Sequence, residues 1–176
     1  MKQTADTREV WQRGPVEGVP PLLQPVAHAL LQSAEEVEKY TENFPATLLW
    51  NRPAGVASVG FHIQHLTGVL DRLFTYARGE ALTDQQLKAL AAEEHPPHDN
   101  TQVIDLVKKF QEQVQAALTQ LSNTREENLL EAREVGRKKI PSNVLGLLFH
   151  AAEHTQRHVG QLLVTTRILQ SDVGSF

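Results

Sequence analysis

The stretch His150-Ala-Ala-Glu153-His154-Thr155-Gln156-Arg157-His158 decides how the rest of this sequence is read. It stands in the middle of a Leu- and Val-rich run from Asn143 to about Gln170, announced by Pro141 and Ser142, that predicts one long last helix. On a helix, residues four apart lie about 6 Å along the axis and about 40° around it, so His150, His154 and His158 share a face. Two imidazoles at that spacing can converge on one ion, which is why such pairs recur in zinc sites. A third ligand then has to come from another helix at the same level of the core. The sequence offers His62 and His65 for that role.

Those two residues lie on a predicted second helix. Ser58 is its N-cap, and Val59, Ile63, Leu66, Leu70, Leu73 and Ala77 follow in steps of four and three, an apolar seam that Gly79 ends. On the helical wheel His62 lies closer to this seam than His65, so periodicity by itself favours His62 as the inward-facing residue. Upstream, Pro20 and Pro21 open a first helix carrying Leu22, Leu23, Val26, Leu30 and Val37, which fades near Asn43 to Pro45. Thr47 to Gly55, with Trp50, Asn51, Arg52 and Pro53, reads as a structured loop. Downstream, Thr83 to Gln86 has the form of a capping box and starts a short helix through Glu93. His95-Pro-Pro-His98 is a loop, because paired prolines break regular elements. A third long helix spans about Thr101 to Leu121, with Val103, Leu106, Val107, Phe110, Val114, Ala117, Leu118 and Leu121 on one side. Residues 122 to 141 are polar and charged and read as a connection with room for a short extended piece.

Four long amphipathic helices without a convincing strand pattern predict an all-α, four-helix bundle with a short extra helix between helices 2 and 3. Residues 1 to 18 read as an arm or tail, and residues 19 to 176 as the domain.

Bulk composition narrows the function classes. The 176 residues are 40% hydrophobic and 22% charged, ordinary for one globular domain. A formal net charge of -4 gives no electrostatic case for gripping nucleic acid or an anionic membrane. No apolar run approaches the roughly 20 residues that span a bilayer. The first 18 residues lack the apolar core of a secretory signal, so a cytoplasmic location is expected. Cysteine is absent, which excludes disulfides, thiolate metal sites and a cysteine nucleophile. Histidine, at eight, is in excess.

Other metal architectures do not match. Di-iron bundles need Glu-x-x-His on two helices, and no glutamate here has a histidine three residues later. The His-Glu-x-x-His motif is absent because position 155 is threonine. His95 and His98 can be read as ligands of a separate ion, or as part of a solvated proline-rich turn.

The pattern Ser58-x6-His65-Leu66, with His154-x3-His158-x-Gly160-Gln161, resembles the DinB/YfiT-like metal-binding superfamily. The resemblance extends to the Arg52-Pro53 approach to the second helix and to Pro141-Ser142 before the last. It implies a four-helix bundle, commonly a homodimer, in which His65, His154 and His158 bind zinc, with nickel as the alternative. This assignment opposes the preference for His62 from periodicity. His62 and His150 then sit one helical step from ligands, as hydrogen-bonding supports, pocket wall or polar rim. Many relatives carry an acidic residue beside the first histidine of the last pair; Thr155 stands there instead, and Glu153 points elsewhere.

Three neutral imidazoles leave an ion its full charge and an open position, the arrangement of a catalytic rather than a closed structural site. Such an ion acidifies water or a thiol and polarises carbonyls. The resemblance implies a metal-dependent enzyme, either a transferase using a low-molecular-weight thiol cosubstrate or a hydrolase, acting on a small-molecule substrate. Water or a thiol on the ion is the expected reactive group. Gln161, one turn from His158, is a candidate helper or an ordinary bundle glutamine. Arg157 lies about 100° from each histidine on the wheel and reads as a surface or interface group. Trp50 and Arg52 either line the mouth of the site or cap the helices. The alternative to an enzyme is a metal-binding or stress-response protein in which the ion stabilises the fold. A plain interaction module would use the basic cluster Arg137-Lys138-Lys139, which otherwise is solvated surface.

Overall fold

The computed structural model describes residues 7–173 and is mostly helical. Five α-helices are formed among the described residues: α1 (Gln24–Thr41), α2 (Val59–Ala77), α3 (Asp84–Ala92), α4 (Val103–Ser122) and α5 (Val144–Val173). The apolar stripes read from the sequence are largely the ones buried, although Leu22, read on the first of them, is exposed in the turn before α1. Leu30 and Val37 of α1, Ile63, Leu66 and Leu70 of α2, Phe110, Val114 and Leu121 of α4, and Leu148 and Leu162 of α5 have no solvent exposure. Their burial brings α2 against both α5 and α4, and α1 against the same two helices. A long helix with one apolar stripe is stabilised mainly by such packing rather than by its own propensity. No helix among the described residues is long and apolar enough to cross a membrane.

Helix ends follow local chemistry. The Ser58 hydroxyl accepts the Phe61 N–H at 3.1 Å and fixes where α2 begins. Thr83 and Gln86 form a reciprocal capping box at the start of α3. Gly79 takes φ +80 just past α2, a backbone conformation that favours glycine.

One element departs from the sequence reading. Residues 132–143 form an antiparallel hairpin, β1 (Ala132–Val135) paired with β2 (Ile140–Asn143), where only a short extended piece was expected. Neither strand buries a residue. It is held by its ladder and by Arg133, whose Nε donates to the Ala77 carbonyl at the end of α2 at 2.8 Å. In the amino-terminal segment, the described residues from 7 onward are docked on α1. Val10 is buried and donates its N–H to Gln32 Oε1 at 2.9 Å, Arg13 pairs with Glu35, and Gln24 bonds both the N–H and the carbonyl of Val16.

Candidate metal centre

The packing of α2 on α5 sets His65 opposite His154 and His158. One ring nitrogen from each of the three lies within 4.8 Å of the others. Ring centroids are 4.4 Å apart for His65 and His158, 4.6 Å for His154 and His158, and 5.2 Å for His65 and His154. His65 Nε2 and His154 Nε2 face each other at 2.9 Å, so at most one of them can carry a proton there. Imidazole nitrogens bound to one tetrahedral ion stand ~3.3 Å from each other, from bonds of about 2.0–2.1 Å. Three partly buried imidazoles with facing lone pairs therefore fit a divalent cation.

Each ring has a rear nitrogen, and the three rears are treated differently. His65 Nδ1 is 2.7 Å from Glu93 Oε2. His158 Nδ1 is 3.1 Å from the Nδ1 of His62, which leaves His158 Nε2 as its free nitrogen. His154 Nδ1 is buried with no hydrogen-bond partner among the described residues. A histidine ligand that hydrogen-bonds through its second nitrogen is held in one tautomer and one ring orientation.

Electrostatics favours the neutral rings that a cation requires. Burial pushes the His158 imidazole down to about 3, and the adjacent His65 and His154 add to the effect. Burial, then His65, push His62 down to about 4. Burial also holds His154 below its ordinary value.

The two histidines of α2 stand differently toward this cluster. His62, nearer the seam, is buried at 3% exposure and reaches the cluster only through His158. His65 faces the cluster itself. His150 is exposed and bonds Glu153 at 2.7 Å. With Glu153 and His154 it forms a second group whose ligand atoms lie within 4.8 Å, but Glu153 is also bound by Arg157 at 2.6 Å. His95 and His98 are exposed and belong to no cluster of ligand atoms among the described residues; His98 contacts Thr101.

Beside the cluster is a cleft of about 530 Å³ lined by Val56, Ala57, His62, Arg157, Gly160, Gln161, Val164 and Thr165. Gln161 and Arg157 therefore both line it, together with His62. Arg52 stands with Phe61 at a smaller hollow, whereas Trp50 lies under Gly60, where an added Cβ would be 2.8 Å from its ring. Trp50 thus packs the start of α2 and Arg52 stays at the rim.

Three contributors were not read from the sequence. Phe61 stacks on His65 with centroids 5.2 Å apart and planes 11° from parallel, covering one side of the cluster. Glu93 and Arg72 form a buried pair at 2.5 Å behind His65. The available signal was the stripe His65, Gly68, Arg72 on one face of α2, with a glycine leaving room beside a cation.

The family model of the DinB superfamily matches residues 29–162 of the chain. No curated protein matches it.

Proposed function

The chain belongs to the DinB superfamily, and on that premise we propose that it is a metal-dependent enzyme built on a four-helix bundle, with His65, His154 and His158 as the ligands of one divalent ion. Zinc is the proposed ion and nickel the alternative, since an all-imidazole set accepts several first-row metals. The observation that carries the reading is the convergence of three ring nitrogens from two helices within 4.8 Å. A divalent ion on three neutral imidazoles retains its full charge and an open position, and supplies Lewis acidity toward water, thiols and carbonyls.

The chain's own residues then have defined tasks. Phe61 shields one side of His65 from water. His62 supports His158 from behind. The neighbouring cleft, with Val56 and Val164 as apolar walls and Gln161 and Arg157 as polar ones, receives the body of a small-molecule substrate. Gln161 is the proposed orienting group, its amide offering both a donor and an acceptor.

Transfer of a low-molecular-weight thiol is favoured over hydrolysis by one feature. The two carboxylates that touch the histidines, Glu93 and Glu153, are both bound to arginines and so are poor candidates for a general base. In the transfer, the thiol S–H bond breaks with its proton passing to solvent water, the sulfur bonds the electrophilic carbon, and the leaving group departs with the bonding pair. The chain contains no cysteine, so the thiol arrives as a cosubstrate.

The test is a substrate screen with thiol cosubstrates and esters against metal-free, zinc and nickel forms. The expected result is thiol-dependent turnover in a metal form that His158→Ala abolishes. Turnover that survives this substitution contradicts the reading. Absence of turnover together with a large fall in melting temperature on chelation favours a non-enzymatic metal-binding protein.

A further inference from the structure

Glu93 is an acidic residue with 6% exposure, placed at the carboxyl end of a helix that buries none of its own residues. Something other than apolar packing holds it there. Gln64 of α2 donates its amide to the main-chain carbonyls of both Glu93 and His95, at 3.0 and 2.8 Å, and fastens this segment against α2. Gly68 makes the space: a Cβ at that position would lie 2.4 Å from Glu93 Oε1 and 2.5 Å from Arg72 Nη1. The carboxylate then divides its oxygens. Oε1 takes the Arg72 guanidinium at 2.5 Å, and Oε2 takes His65 Nδ1 at 2.7 Å.

A buried Arg–Glu pair alone would not need the second contact. The division gives Oε2 a single task, accepting the hydrogen bond of the imidazole N–H. We propose that Glu93 is the positioning residue of the metal centre: it holds the proton of His65 on Nδ1 and so presents Nε2, as a bare lone pair, to the position shared with His154 and His158.

Arg72 supports this from the other side, since its guanidinium holds Oε1 and leaves Oε2 aimed at the imidazole. Carboxylate–histidine contacts of this kind fix ring orientation and raise ligand basicity, and their removal typically costs 10–100-fold in metal affinity. The arrangement is asymmetric. His65 is supported by a carboxylate, His158 by the imidazole of His62, and His154 Nδ1 by nothing among the described residues. His65 is thus the ligand most firmly set before an ion arrives.

The inference rests on His65 being a ligand, but it has a readout that does not need metal. Nitrogen-15 NMR of the metal-free wild-type protein is expected to show His65 protonated on Nδ1, and Glu93→Ala is expected to move that proton to Nε2. Zinc affinity, measured by competition with a chromophoric chelator, is expected to fall about 10–100-fold in Glu93→Ala. Removing the carboxylate strands a buried guanidinium, so a second variant, Arg72→Met with Glu93→Gln, keeps an acceptor oxygen toward Nδ1 without the uncompensated charge. It is expected to bind zinc more tightly than Glu93→Ala. Wild-type His65 protonated on Nε2 overturns the proposal, whether or not any variant folds. So does unchanged zinc affinity in Glu93→Ala, or a double variant that binds no better than it. A wild type that takes up neither zinc nor nickel but holds the proton on Nδ1 overturns the metal reading on which the proposal rests and leaves only the Glu93–His65 contact standing.

Discussion

His62 and His158 meet through their Nδ1 atoms, 3.1 Å apart, where α2 packs on α5. One proton lies between two such nitrogens, so each ring fixes the tautomer of the other. When His158 holds that proton on Nδ1, its Nε2 is free to face His65 and His154. Replacing His62 by alanine removes this support and is expected to weaken zinc binding on the order of 10–100-fold. His150→Ala, which disturbs only an exposed ring bonded to Glu153, is expected to leave zinc binding unchanged. Competition titrations of both variants check this. Equal affinities in the two would mean that the contact between His62 and His158 is incidental.

Gly68 of α2 and Gly160 of α5 are expected to respond to alanine in opposite directions. Gly68→Ala forces a methyl group against the Arg72–Glu93 pair and is expected to destabilise the protein by about 1–3 kcal/mol. Gly160 lies inside a helix, and a Cβ added there would meet nothing within 4 Å, so Gly160→Ala is expected to stabilise by about 0.5–1 kcal/mol. Urea unfolding curves of the two variants measure both values, and a reversal of their order would contradict the packing described.

Acid is expected to weaken the metal-free fold in a window set by the buried histidines. His62 and His158 are pushed down to about 4 and about 3 from an ordinary 6.5, mainly by burial. In that interval the unfolded chain binds more protons than the folded one, so stability rises with pH. Their contribution is complete above 6.5 and is lost as pH falls toward 4 and 3. Melting temperatures in chelator are expected to decline from pH 6.5 downward, more steeply than in a variant with both residues replaced by leucine. Parallel curves would show that these rings are not held neutral by the fold.

The helices were legible because burial selects one face, and the 3.6-residue period of that face survives in the sequence. Leu30, Ile63, Phe110 and Leu162 are all fully buried. Ser58 and Thr83 were legible because capping is local. The hairpin was not, since both of its strands lie at the surface and carry no alternation that a core would impose. The histidines of α5 announced themselves by spacing, whereas on α2 periodicity favoured His62 and only the family resemblance pointed to His65. Their difference lies in what each ring's second nitrogen touches. Glu93 was read only as the end of a short helix. It is 28 residues from His65, and a lone glutamate reads as surface until a fold brings an arginine and an imidazole to its two oxygens.

Metal content decides whether the three imidazoles bind an ion. Protein produced without an affinity tag and analysed by elemental mass spectrometry is expected to carry one divalent ion per chain, and each of His65→Ala, His154→Ala and His158→Ala is expected to lose it. A wild-type protein that holds no ion and takes up neither zinc nor nickel, or a triple alanine variant that keeps its ion, would contradict the account.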